Sequence, residues 1–270
     1  MSPQRRICLI APQQHYLHLP DVRIHYRIYG QGPPLVMLHG MGSSSVDWFP
    51  VTPMLADRHQ LILIDLRGHG LSSLPRSRNF SIRSMAEDVW AVLDHLHIEQ
   101  AAMLGLSLGG CVTIQSAILQ PERLSKIVLV NTFAKLRSAG GIDLWGKLKR
   151  LYIAAQGMDS LAHFVASNLF SDPESQAIAE ESLRQNDVKA ILRTMLSLSR
   201  LNLLADLPKI TAPALVLIGD RDNTVPRRCG EELVSGIPRA QLVEVADAGH
   251  ALPFDQPEAF LRHTIDFLRE

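Results

Sequence analysis

The chain has 270 residues, and its 27 lysines and arginines balance 27 aspartates and glutamates, so its formal net charge is zero at pH 7. A chain of this length is within the range that α/β folds cover as one unit, and it can bury roughly 70–75% of its unfolded surface, so the core needs no staples. The balanced charge argues against binding to nucleic acid or to an anionic membrane surface, each of which selects a basic excess.

The N-terminal segment carries Arg5 and Arg6, but the apolar run behind them, Ile7–Ala11, is cut by Pro12. It is too short for a signal-peptide core, and no later run is long enough to span a bilayer. Cys8, Cys111 and Cys229 are far apart and lack the spacing of metal ligands or of a CxxC pair. A sparse, odd cysteine count fits a reduced compartment, so the expected location is cytoplasmic.

Residues 15–29 alternate apolar and polar side chains around Pro20-Asp21, the pattern of an antiparallel hairpin. Short apolar runs then recur at Leu35–Leu38, Leu61–Leu66, Ala101–Leu106, Ile127–Val130, Leu215–Ile218 and Leu242–Val245. They do not alternate, as expected of parallel strands buried on both faces. Helical patterns lie between them. Ile82–Leu96 places Met85, Val89, Val92, Leu93 and Leu96 on one face behind the N-cap candidate Ser81. Ser107–Leu119, Glu231–Ser235 and Gln256–Leu268 are the others. Strand–helix alternation predicts an open, mostly parallel sheet led by an antiparallel hairpin.

From about Ala134 to Leu207 the alternation stops, and only helical segments follow, such as Leu144–Ile153, Leu161–Leu169 and Val188–Leu203. A helical insertion at the carboxyl end of a parallel strand sits over the crevice where α/β proteins bind ligands. The predicted organisation is therefore a core of residues 1–133 and 208–270, with a helical lid over 134–207. Met158, Phe164, Phe170, Met195 and Leu198 give the insertion its own small core, with a remainder free to line a pocket.

The strongest chemical signal is Gly105-Leu106-Ser107-Leu108-Gly109, directly after a buried strand and directly before a helix. A serine on a sharp strand-to-helix turn needs small neighbours, because the helix backs closely onto the strand. The turn exposes its hydroxyl at the top of the sheet. Such a hydroxyl is a weak nucleophile until a base takes its proton, so a histidine and an orienting carboxylate are required. Of the eleven histidines, His250 follows the last strand in Asp247-Ala248-Gly249-His250 and precedes the final helix. The carboxylate expected is Asp222, in the loop after Leu215–Ile218, while the neighbouring Asp220 fixes the turn or pairs with Arg221. An oxyanion needs two N–H donors: Leu108, which follows the serine, and Met41 in His39-Gly40-Met41-Gly42. His39 reads as a structural residue pinning that loop, and Cys111 as a small buried residue of the helix behind Ser107.

These motifs, together with Asp65-Leu66-Arg67-Gly68-His69-Gly70-Leu71-Ser72, Gly219-Asp220-Arg221-Asp222 with Pro226, and Gly249-His250 with Pro257-Glu258, carry a resemblance. From about Leu17 to Leu268 the sequence resembles the α/β-hydrolase superfamily, in the branch of small esterases, enol-lactonases and cofactor-free haloperoxidase-like proteins. The resemblance implies an α/β-hydrolase fold with a mostly parallel eight-stranded sheet, helices on both faces and a helical lid. It implies the chain order serine, acid, histidine, met by Ser107, Asp222 and His250. Some relatives place the acid one strand earlier, where this chain reads Val130-Asn131-Thr132. Arg67-Gly68-His69-Gly70 is similar to a family turn that braces the loops near the site.

The expected activity is hydrolysis of carboxylic esters through an acyl-enzyme, acting on small to medium, moderately hydrophobic molecules, with no cofactor, no metal, no nucleic-acid partner and no membrane span. Two alternatives stay open on the same fold: an enol-lactone or C–C bond hydrolase, for which Arg137, Arg150 and Arg193 would offer a pocket cation, and a slowly turning-over signal receptor. Fold alone does not choose among them. Neither the natural substrate nor the oligomeric state is legible in the sequence.

Overall fold

The structure is a computed structural model and describes residues 13–77, 79–136, 157–169 and 173–269. Eight strands form one sheet: β1 (Gln13–His18), β2 (Arg23–Tyr29), β3 (Pro34–Leu38), β4 (Gln60–Ile64), β5 (Ala101–Leu106), β6 (Leu124–Val130), β7 (Ala214–Gly219) and β8 (Ala240–Val245). Their spatial order is β1-β2-β4-β3-β5-β6-β7-β8. The hairpin β1–β2 and the β2–β4 pairing are antiparallel, and every later pairing is parallel. The expected mostly parallel, eight-stranded sheet is the one observed.

Why the strands read as unbroken apolar runs follows from their two faces. In β3, Val36 and Leu38 point into one layer, while Leu35 and Met37 point into the other. The first layer holds α2 (Ile82–His95), α3 (Leu108–Leu119) and α7 (Arg227–Gly236), with Met85, Val89 and Leu93 of α2 fully buried. The second holds α1 (Thr52–Ala56) and α9 (Pro257–Arg269), where Phe260 packs on Trp48. Helix α2 starts as expected at Ser81, whose hydroxyl accepts from the Ser84 N–H in a capping box.

Between β6 and β7 the described residues contain α4 (Met158–Leu169), α5 (Pro173–Arg184) and α6 (Val188–Ser199), followed by a 3₁₀ segment, Leu204–Lys209. Helix α5 is not among the segments singled out from the sequence, because its composition is polar and its apolar stripe thin. Helix α6 stops at Ser199, short of the expected Leu203. There the Leu203 N–H bonds the Ala134 carbonyl at 2.9 Å and Asn202 forms a bridge with Lys135, which returns the chain to the end of β6. The helix expected over Leu144–Ile153 lies outside the described residues, as do Arg137, Arg150, Phe170 and Cys8. A short helix, α8 (Leu252–Asp255), follows β8. Among the described residues no helix is long and apolar enough to cross a membrane.

Candidate active site

Ser107 occupies the turn between β5 and α3 with φ 53° and ψ −111°. A non-glycine residue held there costs about 1–3 kcal/mol, so the surroundings must fix it. Its N–H donates to the Val130 carbonyl at 2.9 Å, and its own carbonyl accepts from the Thr132 hydroxyl at 2.6 Å and the Cys111 N–H at 3.1 Å. Helix α3 backs onto the sheet without clearance: a Cβ on Gly109 would lie 2.1 Å from the Leu38 carbonyl oxygen. A side chain there would force α3 away from β3 and carry Ser107 with it.

His250 follows β8, and Asp222 follows β7. The two side chains meet, with His250 Nδ1 at 2.8 Å from Asp222 Oδ2, and the carboxylate is only 2% exposed. The other oxygen, Oδ1, accepts from the N–H groups of Thr224 and Val225 at 2.7 and 3.0 Å. A carboxylate only accepts, so the imidazole donates from Nδ1, the tautomer that in a neutral ring leaves the lone pair on Nε2. Asp220 takes the turn-fixing part instead, accepting the Ala248 N–H at 3.2 Å. Arg221 pairs with Asp247 rather than with Asp220.

The loop after β3 reaches the serine: a Cβ on Gly40 would be 3.8 Å from Ser107 Cβ. Neither the Met41 N–H nor the Leu108 N–H hydrogen-bonds a backbone carbonyl among the described residues. His39 pins this loop. Its Nδ1 donates to the Gly40 carbonyl at 2.7 Å, and its Nε2 accepts the Leu66 N–H at 3.0 Å. Burial holds the ring below the ordinary histidine range, which keeps the neutral form those two bonds require.

Beneath the loop Asp65 collects His25 Nδ1 at 2.8 Å and the N–H groups of Ser45 and Leu71 at 2.6 and 2.9 Å. Burial alone would raise this carboxyl, but the His25 bond and the other donors outweigh it and bring it down to about 2. Arg67 grips Asp88 with two bonds of 2.6 and 2.7 Å, the bracing role expected for its turn. Cys111 is fully buried and donates to the Phe133 carbonyl, and burial pushes its thiol up to about 12. Among the described residues no group of three or more His, Cys, Asp or Glu side chains is placed to hold a metal ion.

Two asparagines that the sequence reading left aside organise the site. Asn131, 1% exposed with φ 43°, donates Nδ2 to the Gly249 and His250 carbonyls, both at 2.9 Å, and accepts the Gly219 N–H at 2.9 Å. It stands at the end of β6, and a polar pair after a buried strand is its only sequence signal. Asn186, in the turn between α5 and α6, donates to the Gly42 carbonyl at 2.8 Å and accepts the Gly70 N–H at 3.3 Å. Nearby, Ile191 of α6 gathers Met41, Met158 and Met195 into an apolar cluster beside the same loop.

A family model described as the alpha/beta hydrolase fold matches residues 33–257. 3-Oxoadipate enol-lactonase 2 of Acinetobacter baylyi is 30% identical over 254 residues, covering 91% of this chain and 92% of the enzyme. RutD of Azorhizobium caulinodans, named provisionally as a carbamate hydrolase, is 30% identical over 270 residues, covering 94% and 98%. The crystal structure of the enol-lactonase from Burkholderia xenovorans LB400 superposes with a TM-score of 0.87 at 28% identity, covering 95% of this chain and 100% of that one.

Proposed function

The chain belongs to the α/β-hydrolase fold family, and we propose that within it the protein is a serine hydrolase that cleaves carboxylic esters through an acyl-enzyme. The observation that carries this reading is the 2.8 Å contact between His250 and the buried Asp222, on loops that leave the same edge of the sheet as the strained Ser107.

In this reading Ser107 Oγ attacks the ester carbonyl as His250 Nε2 takes its proton. Asp222 keeps the imidazole in the right tautomer and stabilises its charged form. The tetrahedral oxyanion is received by the N–H groups of Met41 and Leu108, at the positive end of α3. The protonated His250 then gives its proton to the leaving alcohol. Water, deprotonated by the same ring, releases the acid and restores Ser107.

Residues 134–207 act as a lid. The apolar cluster of Met41, Met158, Ile191 and Met195 supports a substrate with a moderately hydrophobic portion. Cys111 is a buried free thiol, in keeping with a reduced, cytoplasmic setting.

A second reading, enol-lactone hydrolysis, is favoured by the two enol-lactonases to which the chain is similar. A lactone is a cyclic ester, so the same atoms serve both and only the pocket differs. Steady-state assays on chromogenic acyl esters and on enol-lactones, with wild type and Ser107→Ala side by side, separate the two. Ester turnover lost in Ser107→Ala supports the first reading. Serine-dependent activity confined to lactones moves the assignment to the second. A burst that stalls after one cycle contradicts both.

A further inference from the structure

Away from Ser107, a cleft of about 470 Å³ opens where α6 of the insertion meets the N-terminus of α2 and the side of α3. Three arginines line it, Arg83 from α2 and Arg193 and Arg200 from α6 and its end, with no aspartate or glutamate among the lining residues. Arg83 is engaged by Glu87 in an exposed pair one helical turn along α2, at 3.0 Å. The guanidinium groups of Arg193 and Arg200 make no hydrogen bond or ion pair with any described residue. The nearest buried carboxylate on α2, Asp88, is already neutralised by Arg67.

Gln115 of α3 also lines the cleft. It is 8% exposed, and its side-chain amide bonds to none of the described residues. Buried amides are as a rule hydrogen-bonded, so an amide on this wall without a partner among the described residues has bonds to offer a ligand. The N-terminus of the fourteen-residue α2 adds its partial positive charge at the same place, where Ser197 of α6 accepts the Ile82 N–H at 3.1 Å. Phe80 and Leu203, both buried, supply apolar wall.

We propose that this cleft binds a small organic dianion, its phosphate or paired carboxylates held by Arg193 and Arg200 and a polar group of its body bonded to Gln115. Planar guanidinium forks grip both kinds of oxyanion, so the two sources share one chemistry. Bound there, the anion ties α6 of the insertion to α2 and α3 of the core. It is therefore a site separate from the Ser107 centre, and its occupancy stabilises the docking of the insertion.

The test is calorimetric titration of the full chain with inorganic pyrophosphate and, separately, with citrate at fixed ionic strength. The proteins compared are wild type, Arg193→Gln/Arg200→Gln, Gln115→Leu and Ser107→Ala. At least one anion is expected to bind wild type and Ser107→Ala with the same single-site affinity. Affinity should fall about tenfold or more in the double arginine variant, and by a smaller factor in Gln115→Leu. Pyrophosphate binding alone identifies a phosphate-bearing ligand, and citrate binding alone a polycarboxylate. Absence of saturable binding by either at up to roughly 10 mM, a regime weaker than metabolite recognition, overturns the proposal. So does unchanged affinity in the double arginine variant, or loss of binding in Ser107→Ala. The two arginines are at the surface and their replacement leaves the core intact, so that variant decides the matter even if Gln115→Leu does not fold.

Discussion

Asn131 holds the backbone carbonyl of His250 at 2.9 Å, and the next residue, Thr132, holds the carbonyl of Ser107 at 2.6 Å. Two adjacent residues at the end of β6 thus strap the strained serine turn to the histidine loop, while Asn131 Oδ1 fixes Gly219 at the start of the Asp222 loop. The relative placement of the three side chains is set from one point in the sheet. Asn131→Ala removes the strap and leaves two carbonyls and one N–H short of a partner. We expect kcat to fall by about 10- to 100-fold with a smaller change in KM, since misplacement of a reacting group acts on the chemical step. Melting temperature should fall as well. A variant with wild-type kcat would remove Asn131 from the account.

The two neighbouring aspartates differ in what they touch. Asp222 holds His250, whereas among the described residues the Asp220 carboxylate holds only the Ala248 N–H. Asp222→Asn replaces an acceptor by an amide that favours the wrong imidazole tautomer, and a loss of about 10³- to 10⁴-fold in kcat is expected by analogy with the serine-protease triad. Asp220→Asn keeps an acceptor oxygen and should stay within about fivefold of wild type. Equal losses in the two variants would mean that the acid has been misassigned.

Much of this arrangement is legible in the sequence, because the signals are local. The apolar runs of β3 to β8 are dense, and Gly105, Gly109 and the strand before them identify the serine turn without reference to anything distant. Asp222 and His250 stand out because each sits in a loop just past a strand. Asn131 and Asn186 do not, since each works through bonds to backbone far along the chain, 88 to 119 positions away for Asn131 and 116 to 144 for Asn186. Nothing in the residue type forecasts those partners. Helix α5 is hidden for another reason: its stability comes from packing on α4 through Ala162, Ala166 and Leu183, while its own sequence is polar.

Asn186 joins the insertion to the loop that carries Met41. Removing its amide with Asn186→Leu frees the Gly42 carbonyl and the Gly70 N–H and loosens the loop from above. The expected result is a kcat lowered by about 10-fold, with Asn186→Gln recovering little because its longer stem misplaces both bonds. Full activity in Asn186→Leu would show that the loop is held from below alone, by His39.

Acid should destabilise the protein in two stages. Burial, with nearby His39 adding to it, pulls His69 down to about 3, and burial also lowers His39, so both rings stay neutral in the fold. An unfolded histidine takes up a proton below about pH 6.5, so the unfolded state binds more protons and stability is lost as pH falls from there toward 3. Asp65 acts lower down. Its folded value of about 2 lies beneath the ordinary 3.8, so its contribution of about 2 kcal/mol is present above pH 4 and disappears as pH falls toward 2. Denaturant melts between pH 7 and 4 should show stability declining with pH. A flat profile between pH 7 and 5 would contradict the neutral, buried histidines.

Cys111 sits one helical turn behind Ser107, its N–H on the Ser107 carbonyl, yet its thiol is fully buried and pushed up to about 12. The thiolate is the reactive form, so iodoacetamide at about pH 8 should leave Cys111 unmodified in the folded protein and alkylate it in denaturant. Native labelling of Cys111, read by peptide mass spectrometry, would mean that α3 opens far more readily than its packing allows.

The proposed chemistry depends on Ser107 being a nucleophile activated by His250. Reaction with a fluorophosphonate tests it most directly: the serine oxygen forms a bond to phosphorus, fluoride leaves, and the proton passes to the histidine. Intact-mass measurement with peptide mapping should find one adduct per chain, on Ser107, formed in step with loss of esterase activity. No adduct should appear in Ser107→Ala, and only a slow one in His250→Ala. An adduct on another residue, or a folded wild-type protein that takes up none, would contradict the account.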